Sequence, residues 1–204
     1  MSLSTMLSAM GEGMLRTCAI FFLTLIFAMP LGMVIMFLRR SRFAVVREIT
    51  KIYIAIMRGT PLMLQLLMWY FSPYYLFGMS IRGYRFPAII IGFSMNYAAY
   101  FAEIYRGGME TIPQGQYEAA EVLGYSKSQT FFKIILPQVI KAILPSVTNE
   151  IITLVKDTSL AFTLAYNEMF SLAKQIAASQ TSFVPFVIAG AFYFVANYAV
   201  AFVM

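Results

Sequence analysis

Six polar or ionisable residues, Ser146, Asn149, Glu150, Thr153, Lys156 and Asp157, recur at helical spacing inside an otherwise apolar run. At 100° per residue they fall within an arc of roughly 120°, with Val147, Ile151, Leu154 and Val155 opposite. An ionisable group at membrane depth costs roughly 2.5–3.5 kcal/mol even on lenient insertion scales, so such a face must meet water or protein. The chemistry it offers is binding. The face is expected to line a translocation path, with Asn149, Glu150 and Thr153 nearest its middle. The other reading is a network that glues helices together, as Ser, Thr and Asn often do. Lys156 and Asp157 lie near the end of the run, where water reaches them. A second set, Asn96, Tyr100 and Glu103, shares one helix face at i, i+4 and i+7. Arg58 is expected at a depth similar to that of Glu103, and an Arg58–Glu103 ion pair would neutralise both. Gln65 and Asn96 are weaker pathway candidates.

Other chemistries lack their groups. The chain has no histidine and one cysteine, Cys18, which excludes an internal disulfide framework and argues against Cys/His zinc ligation. A nucleophile needs an adjacent base, and no histidine serves. Paired carboxylates for acid–base work are conceivable only at Glu150 and Asp157. No glycine-rich phosphate loop occurs. The expectation is therefore no catalytic residue, no metal site and no cofactor bound by this chain, with any ATP and magnesium held by partner subunits.

The elements that position these residues follow from composition. Of 204 residues, 60% are hydrophobic and only 12% charged, and the mean hydropathy is +0.75. Soluble domains carry about 25% charged residues. Several runs reach the roughly 20 apolar residues a bilayer crossing needs, and none alternates as barrel strands do. The fold class expected is an all-α polytopic membrane protein of five spans, as one domain over 1–204. The spans are placed at about 14–38, 52–77, 86–105, 138–160 and 184–204. Arg39, Arg40, Arg42, Arg47 and Lys51 cluster after the first span, which puts that end in the cytoplasm and the N-terminus outside. The same cluster accounts for much of the net charge of +6 without invoking nucleic acid. A break is expected at Arg58–Pro61, where Thr60 caps and Pro61 starts a fresh turn. Residues 161–182 are expected along the external surface with a short amphipathic helix. No cleavable leader is expected, since the first apolar run is long and ends in arginines. The chain stops at Met204 without the basic residues expected of an inward end, so either a tail follows or it is absent.

Between the third and fourth spans lies a stretch too polar for lipid. Residues 116–123 read as a short helix closed by Gly124 just past its C-terminus, where a left-handed backbone costs least without a Cβ. Ser126 and Gln129 have the spacing of a capping box for a second helix, and Pro137 fits the first turn of the helix after it. This is a helix–turn–helix hung between two membrane spans.

Glu118-Ala119-Ala120, three residues, Gly124, nine residues, Ile134, one residue and Leu136-Pro137 place seven fixed residues over twenty positions. That pattern resembles the EAA motif of ABC importer permeases. Arg58 to Gln65, Ala102 to Gly108 and Lys156 to Leu160 resemble the polar amino acid uptake subfamily, and the likeness covers roughly residues 12–204. The resemblance implies a multi-pass permease subunit in the bacterial cytoplasmic membrane that carries a polar amino acid by alternating access. It also implies three kinds of partner: a second permease copy, identical or related; a cytosolic ABC ATPase dimer; and an extracytoplasmic solute-binding protein. Residues 116–131 would be the coupling helix region, with Glu118, Ala119, Ala120, Leu123, Gly124 and Tyr125 meeting the ATPase. Two alternatives stay open: a non-transporting scaffold or sensor that docks an ABC ATPase, and an importer of another small polar solute.

Overall fold

The structure, a computed structural model, describes residues 3–203; Met204, the expected last residue of the fifth span, lies outside them. The described residues form nine α-helices: α1 Leu3–Arg39, α2 Ala44–Gly59, α3 Leu62–Phe77, α4 Arg85–Glu110, α5 Gln114–Val122, α6 Lys127–Gln129, α7 Leu136–Asp157, α8 Met169–Gln180 and α9 Val184–Val203. A π-helical stretch, Thr130–Ile135, joins α6 to α7, and a 3₁₀ stretch, Thr158–Leu164, follows α7.

Helix α4 is the axis of the bundle. Its Phe93, Tyr97 and Phe101 are buried from end to end, and α1 packs on it more extensively than any other pair of elements. Gly32 makes that approach possible. A Cβ there would sit 2.8 Å from the Cβ of Phe101 and 3.0 Å from the carbonyl oxygen of Ala98. Among the described residues three helical runs are long and apolar enough to cross a bilayer: α1, Lys127–Leu164 and α9. The α2–α3 pair makes a fourth if taken as one crossing. Helix α4 is less apolar, with Asn96 and Glu103 in its central run and Arg106 and Glu110 toward its end. It can afford them since neighbouring helices, not lipid, surround most of it.

Two expectations need correction and others gain detail. The first helix begins ahead of the expected span: α1 starts at Leu3, and Met6 and Met10 are buried in a small cluster with Met169, Ala173 and Ile176 of α8. The break expected inside the second span at Arg58–Pro61 is present. Helices α2 and α3 are bent by 113°, because Pro61 lacks an N–H and forces Thr60 into extended backbone, φ −121° and ψ 151°. Thr60 is not the cap of α3, however; its hydroxyl bonds back to the carbonyl of Ile56 at 2.8 Å. The second helix of the helix–turn–helix is not separate from the fourth span, since α6, the π stretch and α7 run on continuously. Pro137 would collide with the carbonyl of Lys133 in a regular helix; widening into a π turn, with the Leu136 N–H bonded to the Phe131 carbonyl, lets the helix pass through it. Finally, the short amphipathic helix expected within 161–182 is α8, and its apolar face is packed into the bundle. Met169, Ser171, Ala173, Ile176 and Ala177 are buried, against α1 and α9.

Candidate functional site

The turn between α5 and α6 follows from its residues. Gly124 has φ 77°, the Tyr125 N–H bonds to the Ala120 carbonyl at 3.0 Å and the Gly124 N–H to the Glu121 carbonyl at 2.9 Å. This is a Schellman closure, which satisfies the Ala120 and Glu121 carbonyls at the helix end. Ser126 and Gln129 then form the capping box in both directions, at 2.9 and 3.2 Å. Ala120 is buried, while Glu118, Ala119, Leu123 and Tyr125 are exposed. Val122 and Leu123 hold 87% and 73% of their surface open, an apolar tip on a polar segment.

A second feature lies between the end of α2 and helices α4 and α7. There a cavity of about 390 Å³ is lined by Arg58, Tyr100, Glu103, Ser146 and Glu150 among others. The Arg58 guanidinium lies over the Tyr100 ring, 5.3 Å from its centroid. Glu103 has three cations around it. Arg106 is the close one at 2.7 Å, with Arg39 at 3.8 Å and Arg58 at 4.0 Å. The Arg58–Glu103 pair thus sits at the limit of contact, and Arg106, one turn along the same helix, does most of the neutralising. Arg58 and Glu150 are left facing one cavity with opposite charges.

The structure scatters the remaining sequence candidates. Asn149, Thr153 and Lys156 are exposed on α7, outside the cavity, and Thr153 donates to the Asn149 carbonyl at 2.9 Å. Asp157 accepts from the Tyr97 hydroxyl at 2.8 Å. Gln65 and Asn96 lie at the α2–α3 bend, each 4% exposed. The Gln65 amide donates to the Met57 and Thr60 carbonyls and the Thr60 hydroxyl, at 3.0, 3.2 and 2.8 Å. Asn96 donates to the Met57 carbonyl at 2.8 Å and to the Gln65 side-chain oxygen at 3.0 Å. These amides occupy the groups that the broken helix frees. Sequence reasoning missed three groups: Arg106 as the partner of Glu103, Tyr97 as the donor to Asp157, and the buried carboxylate of Glu168. The first was legible as an i, i+3 pair; the others depend on contacts across the bundle.

An all-α bundle with a capped helix–turn–helix of EAA type and a charged cavity between its helices defines a class, the membrane component of a transport system. Residues 28–204 match the family of binding-protein-dependent transport system inner membrane components, and the chain belongs to that family. It is an ABC transporter permease of the cytoplasmic membrane. It is 35% identical over 170 residues to the L-cystine transport system permease protein TcyB of Bacillus subtilis, covering 83% of this chain and 71% of that one. It is also 35% identical over 194 residues to a putative glutamine transport system permease protein of Rickettsia typhi, covering 94% and 88%. Among solved structures, a crystal structure of an amino acid ABC transporter with histidines superposes with TM-score 0.87 at 29% identity, covering 100% of this chain and 95% of that one. The inward-facing MetNI methionine ABC transporter shares the fold, at TM-score 0.76, 18% identity and the same coverages.

Proposed function

We propose that this chain is the membrane subunit of an ATP-driven importer that moves a polar amino acid inward by alternating access. The observation that carries the reading is the cavity in which Arg58 and Glu150 face each other's space. An α-amino acid is a zwitterion, and those two groups match its carboxylate and its ammonium. Tyr100 and Ser146 add hydrogen-bonding groups, and Glu103 is neutralised by Arg106, so the cavity's free charges are one of each sign. The names of the relatives support the substrate class.

The arrangement proposed has five crossings. They are α1, the bent α2–α3 pair, α4, α7 and α9, with the N-terminus outside and the turn at Gly124 in the cytoplasm. The exposed Val122 and Leu123 beside Glu118 would seat in a cleft of the ATPase, which closes on ATP and reorients the spans around the cavity. The exposed polar line of Asn149, Thr153 and Lys156 cannot face lipid cheaply. A second permease would cover it, and a solute-binding protein would deliver substrate from above.

The test is uptake in proteoliposomes containing the assembled system. Arg58→Gln and Glu150→Gln are each expected to raise the apparent uptake constant by roughly 10- to 100-fold, the range for losing a hydrogen bond to a charged group. Wild-type constants in both variants, with normal insertion, would remove the cavity from the transport path.

A further inference from the structure

On the other side of α4 from the charged cavity, α1, α4 and α7 enclose a groove of about 710 Å³ with no charged residue in its wall. Tyr105, Val139 and Val147 form its buried floor, while Met33, Phe37 and Ile140 stand half open at its rim. The lining on α7 runs from Leu136 to Val147, about 16 Å at 1.5 Å per residue. That is about half of a 30 Å hydrocarbon core, the depth of one leaflet. The groove is therefore long enough for the acyl chains of one leaflet.

Cations mark one end. Arg40 is the first residue after α1, its N–H bonded to the carbonyl of the groove residue Met36 at 3.2 Å, and Lys133 follows the groove residue Phe132 in the π stretch. Neither has a carboxylate partner among the described residues, whereas Arg39, Arg58 and Arg106 all gather around Glu103. The π turn, which holds Phe131, Phe132 and Lys133, is packed against α5 with its Glu118 and Glu121, but neither carboxylate pairs with Lys133. An apolar slot of leaflet length ending in two unpaired cations fits one kind of occupant.

We propose that this groove binds one anionic phospholipid, its acyl chains along Phe37, Tyr105 and Ile140 and its phosphate at Arg40 and Lys133. The lipid closes the seam between α1 and α7, which have few contacts of their own at this level, and so ties α1 to the helix that continues from the turn at Gly124. The site stands on the groove and its charges alone, and does not depend on what is transported.

The test measures lipid carried through purification. The chain is extracted in mild detergent, washed, and its bound lipid counted by mass spectrometry, then titrated in nanodiscs of phosphatidylglycerol or phosphatidylcholine. The expected result is about one phosphatidylglycerol per chain, retained in preference to phosphatidylcholine. Arg40→Gln with Lys133→Gln should lower retention about tenfold or more, while Arg82→Gln in the loop before α4 leaves it unchanged. Ile140→Trp, which fills the slot, should displace the lipid. Should that variant fold poorly, the surface pair still decides the matter. Equal retention of the two lipids, no bound lipid, or a disulfide between Ile140→Cys residues of two copies would each overturn the proposal, the last by showing that protein covers the groove.

Discussion

Glu168 is completely buried and sits just ahead of α8, in the connection between α7 and α9. Its carboxylate accepts from the N–H groups of Phe170 and Ser171, both at 2.7 Å, and from the Tyr193 hydroxyl at 3.1 Å. Burial pushes its pKa up to about 7, and those three hydrogen bonds hold it from rising further. The unfolded value is near 4.3, so the folded state binds the proton more tightly. The stabilisation is then complete at or below about pH 4 and fades as pH rises through about 7. The expected outcome is a melting temperature in detergent that falls between about pH 5 and 7.5, with Glu168→Gln flattening that slope. A slope unchanged in the variant would place the titration elsewhere. Gln65 and Asn96 make a contrasting case. Their amides hold the bend, so Gln65→Leu should cost about 1–3 kcal/mol of stability by leaving buried carbonyls unpaired. The apparent uptake constant of the folded fraction should stay put. A raised constant with an unchanged melting temperature would return Gln65 to the pathway.

At the scale of elements, two close approaches do most to define the bundle. Gly32 lets α1 lie against α4, and adding bulk there meets the Phe101 Cβ and a backbone carbonyl, neither of which can swing away. Gly32→Val should therefore cost about 1–3 kcal/mol or more through overpacking, read as a lowered melting temperature and a reduced monodisperse yield. The turn at Gly124 behaves differently. Nothing lies within 4 Å of a Cβ placed there, so the cost of a side chain is only that of a positive φ, about 1 kcal/mol. Gly124→Ala should leave a folded chain with a small stability loss. Gly124→Asp and Glu118→Lys should insert normally while losing ATP-dependent uptake, since they alter the exposed tip. Normal transport in the last two would separate this turn from the ATPase.

For the whole molecule the exposed polar line on α7 is the decisive surface. Asn149 and Thr153 point away from their own bundle, within a run long and apolar enough to cross a bilayer, where lipid would penalise them. With Cys18 replaced by Ser to remove the chain's single native thiol, Asn149→Cys or Thr153→Cys should form a disulfide to the partner permease in oxidised membranes. In a homomeric assembly that appears as a dimer band. No crosslink in membranes that still transport would mean the two faces do not meet.

The features legible in the sequence are those made by neighbours along the chain. Membrane class followed from apolar run lengths, the capping box from Ser126 and Gln129, and the turn from Gly124, because each depends on residues within about one helical turn. The arc on α7 was likewise a matter of 100° steps. What the tertiary structure decided involves residues far apart in sequence. It set the 113° bend and gave Gln65 and Asn96 to that bend. It turned Arg58 toward a cavity with Glu150 while Arg106 took Glu103, and it buried Glu168 beneath Tyr193. The groove beside α4 belongs there too. Spacing states which residues share a face, but only packing states what that face meets, and the cost of an unpaired group in a dry interior then selects its partner.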